Sequence, residues 1–195
     1  LPPAQQAGVL YGAVMAAGRL REFEQARRSL SQLQALTARD PQASYQVRLL
    51  AAELALTEGH LDQAASTVAN DAPGSTATDT PRALFLLRAS VLIQSGKARE
   101  AAERLQVWVA SRPRDASAWQ LLATAYTAQG QTLRAIRADA EVQAARLDYA
   151  AARDRLKAAQ ELARQGGGAD HIEASIIDAR SRQIDSLLRE QALER

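Results

Sequence analysis

The chain has 195 residues, of which 47% are hydrophobic and 24% charged, with 24 lysines and arginines against 22 aspartates and glutamates. This composition predicts a soluble globular protein and excludes an intrinsically disordered chain. The arginines are interleaved with acids and lack stacking aromatics, which argues against a nucleic-acid-binding surface. The chain contains no cysteine, so disulfides and thiolate metal sites are excluded. Few aromatics and abundant alanine, leucine, arginine and glutamine predict an all-α fold.

The first segment, LPPAQQAGVLYGAVMAAG, carries no charged side chain. It also lacks the basic start of a signal peptide, so we expect it to be the cut edge of a longer protein. Its apolar run is interrupted at Gln5 and Gln6, and the later run ALFLLRASVLI is interrupted at Arg88. Neither run reaches the roughly 18 to 20 apolar residues that span a bilayer, so no transmembrane helix is predicted.

Helix pairs follow one another along the chain. The first is expected over residues 5–38 and the second over residues 45–69, after a helix start at Asp40 and Pro41. The loop NDAPGSTATDTP separates the second pair from the third, and its Thr80-Pro81 end is a good helix start. In the third pair, Phe85, Ala89 and Leu92 form the apolar stripe of the first helix, while Ala101, Leu105 and Trp108 form that of the second.

A repeat of 34 to 37 residues underlies these pairs. Inter-helix turns are expected at Gly59, Gly96 and Gly130, which are spaced by 37 and 34 residues and are each followed five residues later by an alanine. Around the last of them stand Trp119, Leu122, Ala123, Tyr126, Gly130 and Ala135, preceded by Pro113. This pattern resembles the tetratricopeptide repeat (TPR). The resemblance implies an antiparallel helix-pair solenoid of about four to five units with a concave protein-binding face.

The C-terminal part departs from this rhythm. The helix over residues 133–146 is expected to close one repeat and open the next, because Ala152 follows Ala135 by half a period. After the QGGGAD linker, Asp170 and Glu173 resemble a capping box. The packing face of the last helix is predicted from Ile172, Ile176, Ile184 and Leu188. We therefore expect a repeat array over 1–165 and a linker with a capping helix over 166–195, packed on the array as one domain.

No catalytic or cofactor motif stands out. His60 and His171 are the only histidines, no H-E-x-x-H is present, and both are expected to be exposed or to cap helices. The glycines at 166–168 follow a helix rather than a strand, which favours a linker over a phosphate site. The sequence thus predicts no enzyme activity, cofactor or metal in this chain.

A partner groove is predicted on the first helices of the repeats. Carried over from the TPR resemblance, its residues are Gln46, Leu49, Glu53, Leu86, Ser90, Ile93, Gln94, Gln120, Thr124 and Thr127. They lack the lysine and asparagine of the TPR clamp that binds chaperone C-termini, so contacts with partner side chains are expected instead. The alternative is that the leucines and Ile93 only pack within the array.

The C-terminal half carries a closer resemblance. Trp119, Leu122, Ala123, Tyr126, Gly130, Arg146, Asp148 and Tyr149, then Ile177, Asp178, Ala179 and Arg180, resemble the C-terminal TPR domain of periplasmic zinc metallopeptidases of the BepA/YfgC type. The resemblance covers roughly the last 85 residues. It implies a periplasmic, non-catalytic domain that connects an upstream peptidase domain to outer-membrane protein assembly. Two alternatives stay open: a free-standing TPR scaffold in secretion or envelope assembly, and an enzyme with an unrecognised site.

Overall fold

The computed structural model describes residues 1–69, 80–165 and 171–193. Throughout these ranges the regular secondary structure is helical, which confirms the all-α prediction. The helices are α1 (Pro3–Arg19), α2 (Phe23–Thr37), α3 (Pro41–Glu58), α4 (Leu61–Ala69), α5 (Arg82–Gln94), α6 (Ala98–Ser111), α7 (Ala116–Ala128), α8 (Thr132–Ala145), α9 (Tyr149–Gln165) and α10 (His171–Leu193). In the described part of the chain, none of these helices is long and apolar enough to cross a membrane.

The chain divides into two compact units, Leu1–Val91 and Leu92–Arg195, with the boundary inside α5. In the first unit each of α1 to α4 packs against its neighbour in sequence, and α1 also contacts α3. In the second unit α6 to α10 do the same, and α10 also contacts α8. The α1–α3 contact joins the first helices of successive pairs. When α8 and α9 are counted as a pair, the α8–α10 contact is the corresponding contact in the second unit.

Five helix pairs are joined by the same backbone turn. Gly59, Gly96 and Gly130 have φ values of 87°, 77° and 71°, as their spacing predicted. Arg21 and Leu147 adopt the same left-handed conformation, with φ values of 60° and 64°. In every case the next residue donates its N–H to the carbonyl five residues back, as in Glu22 to Ala17 and Asp148 to Gln143. This is the Schellman arrangement, which satisfies carbonyls that the helix end leaves free.

A buried alanine follows shortly after each of these turns. The alanine five positions after the turn has no exposed surface in four of the five pairs: Ala26, Ala64, Ala101 and Ala152. Ala135, the corresponding alanine of the fourth pair, is only partly buried, and Ala138 one turn later is fully buried instead. A methyl side chain at these points lets two helix backbones approach closely.

The predicted packing face of α10 was right at its C-terminal end, where Ile184 is fully and Leu188 partly buried, and wrong at its N-terminal end. Ile172 and Ile176 are 78% and 42% exposed, whereas Ile177 and Ile184 are fully buried. Glu173 was expected to act in a capping box, but its carboxylate is buried and pairs with Arg137 of α8; Asp170 lies outside the described residues. The rotation of α10 about its axis, which decides the side that is buried, depends on the charged residues of α8. The apolar pattern of α10 alone does not contain that information.

A second buried ion pair fixes the same rotation of α10. Arg180 donates from Nε and Nη2 to the two carboxylate oxygens of Glu141 on α8, at 2.7 and 2.6 Å. Glu141 is buried, and the side chain of Arg180 is only 24% exposed. Both pairs join α10 to α8. They bring Ile177 and Ile184 onto a cluster that includes Ala152, Leu156 and Ala159 of α9.

Candidate partner-binding surfaces

In the first unit, a groove runs between α1 and α3. Its apolar floor includes Val14, Leu50 and Leu54, and its rim carries Met15, Arg19, Glu53 and Thr57. The enclosed volume is small, about 70 Å³, so the groove suits one or two side chains of a ligand rather than a whole small molecule.

The rim of this α1–α3 groove presents opposite charges. Arg19 and Glu53 are both exposed, and neither forms an ion pair with the described residues. Tyr11 lies near Glu53, and its pKa is raised first by burial and then by the negative charge of that carboxylate. The phenol therefore stays protonated at neutral pH and can donate a hydrogen bond.

The residues predicted for the groove in the first unit fall into three environments. Gln46 and Glu53 are exposed on α3. Leu49 lies between them in sequence but is 6% exposed and belongs to the core with Ala52, Leu56 and Val91. Leu86 and Ser90 of α5 are partly buried. For Leu49, the packing alternative is therefore the one that the structure supports.

In the second unit, the predicted residues of α7 form an exposed stripe. Gln120, Thr124 and Thr127 are all exposed, and their spacing places them on one side of the helix. The two threonine hydroxyls donate to carbonyls of their own helix, at 3.0 and 2.9 Å. Their oxygens are left with lone pairs that can accept hydrogen bonds from a partner. Ile93 is partly buried and Gln94 is exposed.

Two residues of α1 that line the groove, Met15 and Arg19, were not predicted from the sequence. Tyr11, Met15 and Arg19 follow one another at intervals of four, the spacing that also relates Leu49, Glu53 and Thr57 on α3. That spacing was visible in the sequence. The repeat pattern gave no signal here, because the turn after α1 has Arg21 where those after α3, α5 and α7 have glycine.

Both histidines lie at the start of a helix: His60 directly precedes α4, and His171 is the first residue of α10. His60 and His171 are both exposed, as predicted. His60 Nδ1 lies 3.1 Å from Glu58 Oε2, which also accepts a hydrogen bond from Arg27 at 2.9 Å. Within the described ranges, no three histidine, aspartate or glutamate side chains stand close enough to hold a metal ion.

Comparison with known proteins adds no identification. No protein-family model matches the chain, and no curated protein matches it either.

Proposed function

We propose that this chain is a TPR-like helical-repeat scaffold that binds a segment of a partner protein through its first helices. The observation that carries the proposal is the recurrence of one Schellman turn at residues 21, 59, 96, 130 and 147. Recurring turns of one kind, each followed by a buried alanine, are typical of a helix-pair repeat, and such repeats serve as binding surfaces for protein segments.

The exposed polar residues of the first helices support the same proposal. The α7 stripe of Gln120, Thr124 and Thr127 offers amide and hydroxyl groups to a partner. The α1–α3 groove adds the exposed charges of Arg19 and Glu53 beside an apolar floor. A partner segment with alternating apolar and polar side chains would match these features.

The resemblance of the C-terminal half extends this proposal to a biological role. We propose that the scaffold is the C-terminal domain of a periplasmic zinc metallopeptidase, where it recruits outer-membrane assembly proteins or their substrates. In that role this chain is non-catalytic and needs no cofactor of its own. The alternative is a free-standing scaffold. A coding sequence with H-E-x-x-H and a signal peptide upstream of Leu1 would favour the peptidase, and its absence the scaffold.

Site-specific photo-crosslinking tests the binding surface. A photoreactive residue replaces Thr124 on the α7 stripe, or Glu53 in the α1–α3 groove. Matched controls carry it at Val107 on α6, which is 61% exposed, and at Gln32 on α2, which is also exposed. In periplasmic extract, we expect crosslinks to outer-membrane assembly proteins when the photoreactive residue is at Thr124 or Glu53, and no such crosslinks when it is at the control positions. Equal capture at all four positions would contradict a binding surface on the first helices.

A further inference from the structure

A polar cleft of about 530 Å³ lies in the second unit, away from the α7 stripe. Its walls come from the first half of α6, the end of α7 and the start of α8, and include Arg99, Gln106, Tyr126, Gln129, Gln131 and Arg134. Tyr126 follows Thr124 by two positions, so the two side chains leave α7 in directions about 200° apart. The volume of the cleft lies within the range of about 300 to 1,000 Å³ that is typical of small-ligand sites. We name it the α6–α8 cleft.

The back of the α6–α8 cleft offers a hydroxyl donor. Gln106 donates from Nε2 to the Tyr126 hydroxyl oxygen at 2.9 Å, and no acceptor in the described part of the chain takes the phenolic hydrogen. Burial raises the pKa of Tyr126, although Arg137, Gln106 and Arg134 act in the opposite direction. The phenol therefore remains protonated at neutral pH and can donate its hydrogen to a ligand.

Arg134 is a cation that a ligand can engage without large rearrangement. Its guanidinium makes only long contacts, 3.4 Å to Gln131 Oε1 and 3.6 Å to Glu173 Oε2. Glu173 has Arg137 as its close partner, so it stays paired if Arg134 turns into the cleft. The side chain of Arg134 is 41% exposed, which leaves its planar fork accessible from the cleft.

The remaining groups bias the cleft toward an anion. Glu103 is the acid of the lining, and Arg99 pairs with it at 3.2 Å. Gln129 donates both amide hydrogens to the carbonyls of Ala98 and Ala125, so its amide group is held by the backbone. With Arg99 and Glu103 offsetting each other, one positive charge and a phenolic donor remain. A planar carboxylate matches a guanidinium fork by two parallel hydrogen bonds.

We propose that the α6–α8 cleft binds a carboxylate group of a peptide, supplied either by an acidic side chain or by a free C-terminus. Arg134 binds the carboxylate, the Tyr126 hydroxyl donates to one of its oxygens, and Gln106 orients that hydroxyl. This site lies beyond the function proposed for the first helices. Because crosslinking at Thr124 does not report on it, either proposal can fail alone.

Titration of the ¹⁵N-labelled chain with three small probes tests the site. N-acetylglycine mimics a peptide C-terminus, N-acetylglutamic acid α-amide carries its carboxylate only on the side chain, and N-acetylglycinamide carries none. The readout is the side-chain amide signals of Gln106, Gln129 and Gln131. We expect saturable shifts with at least one acid, at a dissociation constant of roughly 1 to 10 mM, since one charge-assisted contact in an open cleft is weak. The acid that binds more tightly identifies the source of the carboxylate.

Two variants and a matched control complete the test. Arg134→Gln is expected to weaken binding about tenfold or more, as loss of a hydrogen bond to a charged group does. Tyr126→Phe keeps the buried ring and should weaken binding by a smaller factor. Arg104→Gln removes an arginine of α6 that pairs with Glu100 outside the lining, and should change nothing. The proposal is overturned if neither acid gives saturable shifts, if N-acetylglycinamide shifts the same signals equally, or if folded Arg134→Gln and Tyr126→Phe both bind like the unchanged chain.

Discussion

Adjacent isoleucines in α10 provide a direct test of how this helix packs. Ile177 is fully buried, whereas Ile176 is 42% exposed. Replacing either by alanine makes the same chemical change in the same helix, one residue apart. Any difference between the two variants therefore reports burial and not helix propensity.

The expected magnitudes follow from the burial. Ile177→Ala removes three buried carbons, worth about 0.8 kcal/mol each in transfer, and adds a cavity term, so the free energy of unfolding should fall by about 3 to 4 kcal/mol. Ile176→Ala loses little buried area and gains helix propensity, so its change should stay within about 0.5 kcal/mol.

Urea unfolding followed by tryptophan fluorescence measures both values. Trp108 and Trp119 lie in the same unit as α10, so their fluorescence reports on its unfolding. Equal losses for the two variants, or a larger loss for Ile176→Ala, would refute the rotation of α10 described above. They would favour instead the face predicted from the sequence.

Three other predictions concern an ion pair, a turn and a glycine inside a helix. Glu141→Gln leaves Arg180 without its carboxylate in a mostly buried site, and should lower the free energy of unfolding by about 2 kcal/mol, between the values for surface and fully buried pairs. The double variant Glu141→Leu with Arg180→Met should recover most of that loss in the same urea assay; an uncompensated double variant would contradict the argument. Gly130→Ala forces an alanine to φ 71° and should lower the free energy of unfolding by about 1 kcal/mol. Gly8→Ala places a methyl group in open space on α1 and should raise the free energy of unfolding by about 0.5 to 1 kcal/mol. Thermal unfolding followed by circular dichroism would detect both, and a destabilised Gly8→Ala would show that this face of α1 is not free.

Local sequence signals located three of the five inter-helix turns. The three glycine turns were predicted because glycine adopts a positive φ without steric cost, and a regular spacing made them recognisable. The equivalent turns at Arg21 and Leu147 could not be located in this way. A residue with a side chain enters the left-handed region only where surrounding packing compensates about 1 kcal/mol or more of strain, and a sequence window does not contain that packing.

The residues of the candidate surfaces also differ in whether local helical spacing or tertiary packing sets their environment. Helical spacing alone sets the side of a helix on which a residue lies, and Gln46, Glu53, Gln120, Thr124 and Thr127 all lie on exposed sides. The burial of Leu49 depends on α4 and α5 packing beside α3, and the α1–α3 groove needs two helices that are 20 or more residues apart in sequence.

The sequence by itself determined the helical class, several helix ends, and the pairing of helices about glycine turns. These properties depend on backbone preferences and on the period of apolar residues, both of which act within a few turns of chain. Only the tertiary structure decided which side of α10 is buried and where the α6–α8 cleft lies. The ion pairs of Glu173 and Glu141 join residues 36 and 39 positions apart, and such contacts form only after the helices have packed.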